Sequence, residues 1–328
     1  MVESFTYSGT DGLRLHTYVW RPEVEPKAVV QIAHGMSEHG ARYERFARVL
    51  NNFGYAVYAN DHRGHGKSIP SGTLPGHLAD EDGWNMAVRD MYLLNQEIGQ
   101  RHPGVPVILV GHSMGSFLVQ QYMAIYGDTI AAAALSASNG PPGMLGKVGK
   151  AIARIEKFRL GGDGHSGLLK SMTFKGFNKP FRPNRTEFDW LSRDEAEVDR
   201  YIADPLCGFD CSVATWIDLF DALGRITSDH VLEKVNKMLP IYLLSGSRDP
   251  VGEMSKGVKR LLAVYEKHGF KNVQHKFYEG ARHELLNEIN RDEVMADFVA
   301  WANRLSNHTA VRQKKLVKRP VSRKSPAK

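Results

Sequence analysis

The chain has 328 residues, of which 42% are hydrophobic and 24% charged, as is typical of a globular protein with one large domain or two ordinary ones. No stretch approaches the roughly 18–20 apolar residues of a membrane span, and the N-terminal residues lack the pattern of a secretory signal, so we expect a cytoplasmic protein. The only two cysteines, Cys207 and Cys211, cannot form a disulfide framework, and their spacing has no second pair to complete a zinc site.

The formal net charge of +7 is concentrated at the C-terminus. Residues 310–328 contain eight Lys and Arg and no acid, and subtracting these eight from +7 leaves −1 for the rest of the chain. One sign of charge, prolines and few large apolar side chains predict a basic, disordered tail over residues 309–328. Such a tail can contact an anionic membrane or remain solvated, and we do not predict nucleic-acid binding.

Apolar segments and helical patterns alternate along the first 140 residues and again after residue 236. The expected strands are Phe5–Ser8, Leu13–Arg21, Lys27–Ala33, Tyr55–Ala59, Val107–Val110, Ile130–Ala137, Leu239–Ser245 and Val273–Tyr278. The expected helices are Tyr43–Phe53, Gly83–Arg101, Ser116–Tyr126, Met254–His268 and Glu288–Leu305. The first two strands form a predicted hairpin. The alternation that follows predicts an α/β fold with a mostly parallel central sheet and helices on both faces.

Residues 141–236 interrupt this alternation with helical and irregular segments. We therefore predict a core formed by residues 1–140 and 237–308, and an inserted helical cap or lid of residues 141–236 over the carboxyl ends of the strands. Met144–Arg159 has a basic amphipathic pattern that suits a membrane surface or a helix covering a site. Residues 144–185 contain ten Lys and Arg against two acids, which favours approach to anionic surfaces.

Apolar side chains of the cap suit an acyl-chain pocket, although a cap must also bury its own underside. They are Leu168, Leu169, Met172, Phe174, Phe177, Phe181, Trp216, Ile217, Leu219, Phe220 and Leu223.

The most informative motif is Gly111-His112-Ser113-Met114-Gly115, which lies between a predicted strand and a predicted helix. A serine on such a sharp strand-to-helix turn has its hydroxyl exposed above the sheet. The flanking glycines are needed because a Cβ atom would clash with the neighbouring strand and helix. Ser113 is therefore the candidate nucleophile.

A serine hydroxyl needs a base within hydrogen-bond reach and an acid that orients the base. Asp249 lies on the loop after strand Leu239–Ser245, and His283 lies on the loop after strand Val273–Tyr278. Among the fourteen histidines, only His283 combines a position after a strand with the order serine, acid, histidine along the chain. The candidate triad is thus Ser113, Asp249 and His283.

The anion that forms during attack must also be stabilised, and backbone N–H groups are the usual donors. One donor is expected to be Met114, the residue after the nucleophile. The second is expected on the loop after strand Lys27–Ala33, where His34-Gly35-Met36 lies, and we assign it to Met36.

With these motifs in place, the chain resembles the monoacylglycerol lipase and lysophospholipase branch of the α/β-hydrolases, which also contains serine aminopeptidase-like relatives. The segments that carry the resemblance are His34–Gly40 with Arg42-Tyr43, Asp61–Ser68, Gly111–Gly115, Ser245–Val251 and Gly280–Glu284. The resemblance implies an α/β-hydrolase fold, the same triad and the same oxyanion donors. It also implies that Asp61–Ser68 is architectural, that no metal is bound there, and that no cofactor is required.

The sequence thus favours a serine hydrolase that cleaves carboxylic esters of single-chain lipids, with an ester or lipid molecule as substrate. An aminopeptidase or amidase on the same triad remains open, since acidic cap residues could bind a substrate ammonium group. Those acids are Glu187, Asp189, Asp194, Glu195, Glu197 and Asp199. A hydrolase-fold binding protein without catalysis is the third alternative, and peripheral contact with an anionic membrane through the cap and tail is a separate expectation.

Overall fold

The structure is a computed structural model that describes residues 2–142, 144–172 and 176–317. Its strands are β1 (Glu3–Ser8), β2 (Arg14–Trp20), β3 (Ala28–Ala33), β4 (Tyr55–Asn60), β5 (Val107–His112), β6 (Ala132–Ser136), β7 (Ile241–Gly246) and β8 (Val273–Tyr278). Its helices are α1 (Glu44–Asn52), α2 (Gly83–Arg101), α3 (Met114–Tyr126), α4 (Met144–Leu160), α5 (Gly167–Lys170), α6 (Gly176–Asn178), α7 (Glu195–Ala203), α8 (Val213–Arg225), α9 (Asp229–Leu232), α10 (Lys256–Lys267) and α11 (Arg291–Val317).

The eight strands form one sheet in the order β1-β2-β4-β3-β5-β6-β7-β8. Strand β2 pairs in antiparallel fashion with both β1 and β4, and the remaining pairs from β4 to β8 are parallel. Strands β3 to β7 are buried along their whole length, as expected for strands that are covered on both faces. The prediction of a mostly parallel central sheet is confirmed.

Two apolar cores cover the two faces of the sheet. On one face, Met91 of α2, Leu118 of α3 and Leu261 of α10 are fully buried against the strands. On the other face, Leu50 of α1 and Phe298 of α11 occupy the equivalent position. The prediction of helices on both faces is also confirmed.

Helices α4 to α9 lie between β6 and β7 in the chain, within the segment predicted as the cap. Helices α4 and α8 pack on each other, and Ala153 and Trp216 join the core that covers α2 and α3. A smaller apolar cluster around Phe188, Trp190 and Tyr201 forms a second centre of the cap. The segment of helices α4 to α9 thus packs against the rest of the fold through Ala153 and Trp216 and also forms an apolar cluster of its own.

Several element boundaries differ from those predicted, among them the start of α10 and the end of α11. Helix α10 begins at Lys256 rather than Met254, because Glu253, Met254 and Ser255 have positive φ angles of 53°, 54° and 70° that no right-handed helix accommodates. Helix α11 continues to Val317. Residues 309–317, predicted as part of a disordered tail, are therefore helical, because alanine, glutamine, leucine, arginine and lysine are good helix formers. The rest of the predicted tail, residues 318–328, lies outside the described residues.

Within the part of the chain that the structure describes, no helix combines the length and apolar character that spanning a membrane requires.

Candidate active site

Ser113 occupies the turn between β5 and α3 with φ 50° and ψ −119°, a conformation that side-chain-bearing residues rarely adopt. A Cβ atom on Gly115 would lie 2.1 Å from the carbonyl oxygen of Ala33, and one on Gly111 would lie 2.4 Å from that of Gly115. These contacts explain why the motif needs glycine at both positions. The turn holds the half-buried Ser113 at the carboxyl end of a central strand.

Asp249 and His283 form a buried pair on the loops that follow β7 and β8, at the same edge of the sheet. The Nδ1 atom of His283 lies 2.9 Å from Oδ1 of Asp249, and the two residues are 2% and 0% exposed. The same carboxylate oxygen accepts a hydrogen bond from the backbone N–H of Val251 at 2.9 Å. Because a carboxylate can only accept, Nδ1 carries the hydrogen and Nε2 is left as the proton acceptor. This is the tautomer that a general base requires.

His112, the residue before Ser113, lies against the ring of His283. The ring of His112 lies 4.9 Å from the ring of His283, measured between centroids, and Ser113 is the next residue along the chain. Among the hydrogen bonds of the described residues, none joins the Ser113 hydroxyl to His283. Such bonds often tighten only when substrate is present. The structure therefore brings Asp249 and His283 into direct contact and places the residue before Ser113 against the His283 ring.

The loop after β3 passes directly over Ser113. A Cβ atom on Gly35 would lie 3.3 Å from Cβ of Ser113, so the backbone at Gly35 lies close to the Ser113 side chain. Met36 follows on this loop, and Met114 is the first residue of α3, where backbone N–H groups lack helical partners. Both predicted oxyanion donors thus belong to segments that flank the nucleophile.

Residues between β6 and β7 form hydrogen bonds with the loop after β3 and with the loop that carries His283. The hydroxyl of Tyr201 and the backbone N–H of Gly208 donate to the carbonyl oxygen of Ser37, at 3.0 and 2.9 Å. On the other side, the backbone N–H of Glu284 donates to the carbonyl oxygen of Leu191 at 2.7 Å. Cap residues therefore restrain the segments on both sides of the nucleophile.

A buried ionic network connects the two loops, and sequence reasoning missed it. Arg42 donates to both carboxylate oxygens of Glu284, at 2.6 and 2.7 Å, and to Glu38 at 2.6 Å. Burial acts to raise the pKa of Glu284, but Arg42 outweighs it and holds that pKa at about 2. The Glu38–Arg42 spacing of four residues is readable from sequence, whereas Glu284 lies 242 residues away. Glu284 directly follows His283, so the network fixes the base of the candidate triad.

The segment 61–68 has the architectural contacts implied by the family resemblance. The carboxylate of Asp61 accepts hydrogen bonds from the backbone N–H groups of Gly40 at 2.7 Å and Lys67 at 2.8 Å. Arg63 is buried and pairs with Asp90, with 2.7 Å between Nε and Oδ2. The side chains of Asp61 and Arg63 are therefore engaged in hydrogen bonds that hold neighbouring segments together.

A possible metal-ligand group occurs elsewhere, at His39, Asp204 and Cys207, whose ligand atoms lie within 4.8 Å of one another. Its imidazole and carboxylate already pair at 2.9 Å between Nε2 and Oδ2. Hydrogen bonding between side chains therefore accounts for their proximity.

A parallel sheet that holds a serine on a strand-to-helix turn, with an acid and a histidine on later strand ends, has the architecture of an α/β-hydrolase. The family model described as "Serine aminopeptidase, S33" matches residues 24–290, and the chain belongs to this family.

Known proteins extend this relationship over most of the chain. The monoglyceride lipase of Homo sapiens is 32% identical over 284 residues, covering 85% of this chain and 82% of the relative. The monoacylglycerol lipase of Mycolicibacterium smegmatis is 29% identical and covers 90% and 95%. Among solved structures, a thermostable carboxyl esterase from Bacillus coagulans superposes with a TM-score of 0.85 at 24% identity, covering 93% and 99%. This last likeness concerns the fold.

Proposed function

We propose that the chain is a serine hydrolase that cleaves carboxylic esters of single-chain lipids, of the monoacylglycerol lipase or lysophospholipase type. The observation that carries the proposal is the buried pair of Asp249 and His283, whose imidazole lies next to the ring of His112, the residue before Ser113. The family and its monoglyceride lipase relatives, at about 30% identity over most of the chain, support a lipid ester hydrolase.

In the proposed mechanism, Nε2 of His283 takes the proton of Ser113 while the serine oxygen attacks the ester carbonyl carbon. The backbone N–H groups of Met36 and Met114 stabilise the negative oxygen of the tetrahedral intermediate. The protonated His283 then gives its proton to the leaving alcohol, and an acyl-enzyme remains. A water molecule activated by His283 attacks that acyl group and releases the fatty acid. Asp249 keeps the imidazole in the required tautomer throughout.

The cap supplies an apolar wall at this site, as an acyl chain requires. The ring of Trp190 lies 5.0 Å from the ring of His283, and Phe177 lies 5.1 Å beyond it, measured between centroids. Of Trp190 and Phe177, only Phe177 is among the predicted pocket residues. Of the others predicted, Leu169 and Trp216 are buried in packing, while Leu168 and Met172 are about half exposed. Phe174 lies outside the described residues. The aromatic wall at His283 is the part of the cap that best supports a lipid substrate.

The acidic residues that an aminopeptidase would use are largely engaged with arginines. Asp194 pairs with Arg291 at 2.6 Å, and Arg185 lies 2.7 Å from Asp199 and 3.7 Å from Glu195. Glu197 contacts both Arg45 and Arg200. Carboxylates neutralised in this way bind a substrate ammonium group poorly, so the structure favours the esterase over the aminopeptidase.

A substrate panel tests the proposed function. We expect turnover of p-nitrophenyl esters, with kcat/KM rising as the acyl chain lengthens, and turnover of monoacylglycerols or lysophospholipids in mixed micelles. Amino-acid anilides serve as the amidase control. Turnover of anilides without ester hydrolysis would show an aminopeptidase, and folded protein that neither hydrolyses esters nor reacts with a fluorophosphonate would show a binding protein.

We also propose that α4 attaches the enzyme to anionic membranes. Phe158 is 97% exposed and Ile155 is 65% exposed on a helix that also carries Lys150, Arg154 and Lys157. Exposed aromatic and aliphatic side chains flanked by cations suit the boundary between lipid headgroups and acyl chains. The positive excess of residues 144–185 acts in the same direction.

Phe158→Glu should weaken binding to vesicles of phosphatidylcholine and phosphatidylglycerol by about tenfold or more, because burying one such side chain contributes about 1.5–3 kcal/mol. Flotation of vesicles with bound protein measures the partitioning. Val24→Glu, at a residue that is 65% exposed on the core, is the matched control and should bind like the unaltered protein. Equal flotation of all three proteins would contradict attachment through α4.

A further inference from the structure

His34, the first residue after β3, has no part in the mechanism above, yet it is completely buried against the loop that carries Met36. Its Nδ1 atom lies 2.7 Å from the carbonyl oxygen of Gly35. Its Nε2 atom lies 2.9 Å from the backbone nitrogen of His62, which follows β4. Both ring nitrogens are therefore engaged by backbone groups.

These two contacts determine which nitrogen of His34 carries the hydrogen. A backbone N–H can only donate, so Nε2 must accept the hydrogen bond from His62. Burial, together with the neighbouring His62 and His65, lowers the pKa of His34 well below its usual value, so the ring is neutral. The single ring hydrogen is then on Nδ1, and it is donated to the carbonyl oxygen of Gly35.

This donation fixes the direction of the next backbone N–H. The carbonyl of Gly35 and the N–H of Met36 belong to one planar trans peptide, in which the two groups point in opposite directions. Glycine rotates more easily than other residues, so a peptide after Gly35 can reverse at low cost unless something holds it. Reversal would exchange the directions of the Gly35 carbonyl oxygen and the Met36 N–H.

Glu38 holds the preceding peptide of the same loop. Its Oε1 atom accepts from the backbone N–H of Gly35 at 2.5 Å and from the Tyr43 hydroxyl at 2.9 Å. A side chain at position 35 would disturb this arrangement, because its Cβ would lie 2.8 Å from that carboxylate oxygen. The loop thus has a restraint on each side of Gly35.

We propose that His34 is a positioning residue of the oxyanion hole: its Nδ1–H, set by the backbone of His62, keeps the N–H of Met36 directed toward the nucleophile. The inference rests on the proposed function, since it concerns the donor assigned to Met36. It gives a role to a histidine that sequence reasoning set aside, because His34 precedes the serine in the chain.

Two substitutions separate the functions of the two ring nitrogens. Asparagine can place an N–H near the position of Nδ1, whereas glutamine reaches the position of Nε2 and lacks the donor to Gly35. We expect His34→Gln to lower kcat for a soluble short-chain ester by about 10²-fold, near the loss of one oxyanion donor, with KM changed little. His34→Asn should retain most of kcat. Affinity for an alkyl boronic acid, which mimics the tetrahedral intermediate, should fall in parallel with kcat/KM.

His102→Gln is the matched control, since His102 is also a buried, hydrogen-bonded histidine but lies before β5, away from the carboxyl strand ends. It should leave kcat unchanged. Full kcat in folded His34→Gln would overturn the inference, as would equal losses in both His34 variants with a raised KM. Absence of ester turnover and of fluorophosphonate labelling in the unaltered protein would instead refute the proposed function.

Nitrogen-15 NMR of the imidazole rings tests the same inference without a variant. It should show His34 with hydrogen on Nδ1 and none on Nε2. The opposite tautomer would overturn the proposal even if the substituted proteins did not fold.

Discussion

Replacing Ser113 by alanine should lower kcat/KM for p-nitrophenyl esters by about 10⁴–10⁶-fold, the loss typical of removing the nucleophile of a serine triad. Without the hydroxyl no acyl-enzyme can form, so labelling by a fluorophosphonate should be abolished. A small residual rate can persist, because the oxyanion donors still stabilise attack by water. Steady-state kinetics and intact-protein mass spectrometry measure the two effects.

The thermal unfolding midpoint of Ser113→Ala should not fall, since the substitution removes one oxygen at a strained position. Ser71→Ala, on an exposed loop, is the control and should retain both turnover and labelling. If Ser113→Ala kept its activity, or if the label were found on another residue, the assignment of Ser113 would be wrong. The whole mechanism proposed above would then need another nucleophile.

The catalytic assignments came from sequence because each depends on local order along the chain. Ser113 sits in a motif that predicts its own turn, and Asp249 and His283 follow strands whose apolar character is plain. Parallel strands end at one edge of the sheet, so residues that are far apart in sequence could be expected to meet. The fold class, the parallel sheet and the helices on both faces were predicted for the same reason and are confirmed.

The parts that sequence did not reveal depend on contacts between distant segments or on backbone geometry. The pairing of Arg42 with Glu284 joins residues that no spacing rule connects. The contact of His34 with Gly35 depends on the direction of one peptide, which a sequence pattern does not encode. The late start of α10 results from three successive residues with positive φ, none of which is glycine. In each case tertiary context determines the outcome.

Mild acid should destabilise this protein strongly, because several histidines are buried and neutral beneath the site. Burial lowers the pKa of His62 to about 3, and those of His65 and His112 to about 4. In the unfolded chain each of these histidines has a pKa of about 6.5. Below that pH the unfolded state binds protons that the folded state does not, so the free energy of unfolding falls as pH falls. Each histidine contributes up to about 1.4 kcal/mol per pH unit until its folded pKa is reached.

Glu284 affects the stability at a lower pH than the histidines do, so its contribution can be separated from theirs. Its pKa of about 2 in the folded state lies below the ordinary carboxyl value of about 4.3, so its stabilising effect is lost only as pH falls below that value. Loss of stability between about pH 6.5 and 4.5 therefore reports the histidines. The free energy of unfolding in urea is the quantity to follow, because turnover also depends on groups other than these buried histidines.

His62→Asn should make the dependence of the unfolding free energy on pH shallower in this range. His230→Asn, at an exposed position on α9, should leave it unchanged. An unfolding free energy that stayed constant from about pH 7 to 4.5 would mean that these histidines take up protons in the folded protein as readily as in the unfolded chain. His34 is buried beside His62 and His65, and its protonation in acid would remove the lone pair on Nε2 that accepts from the backbone of His62.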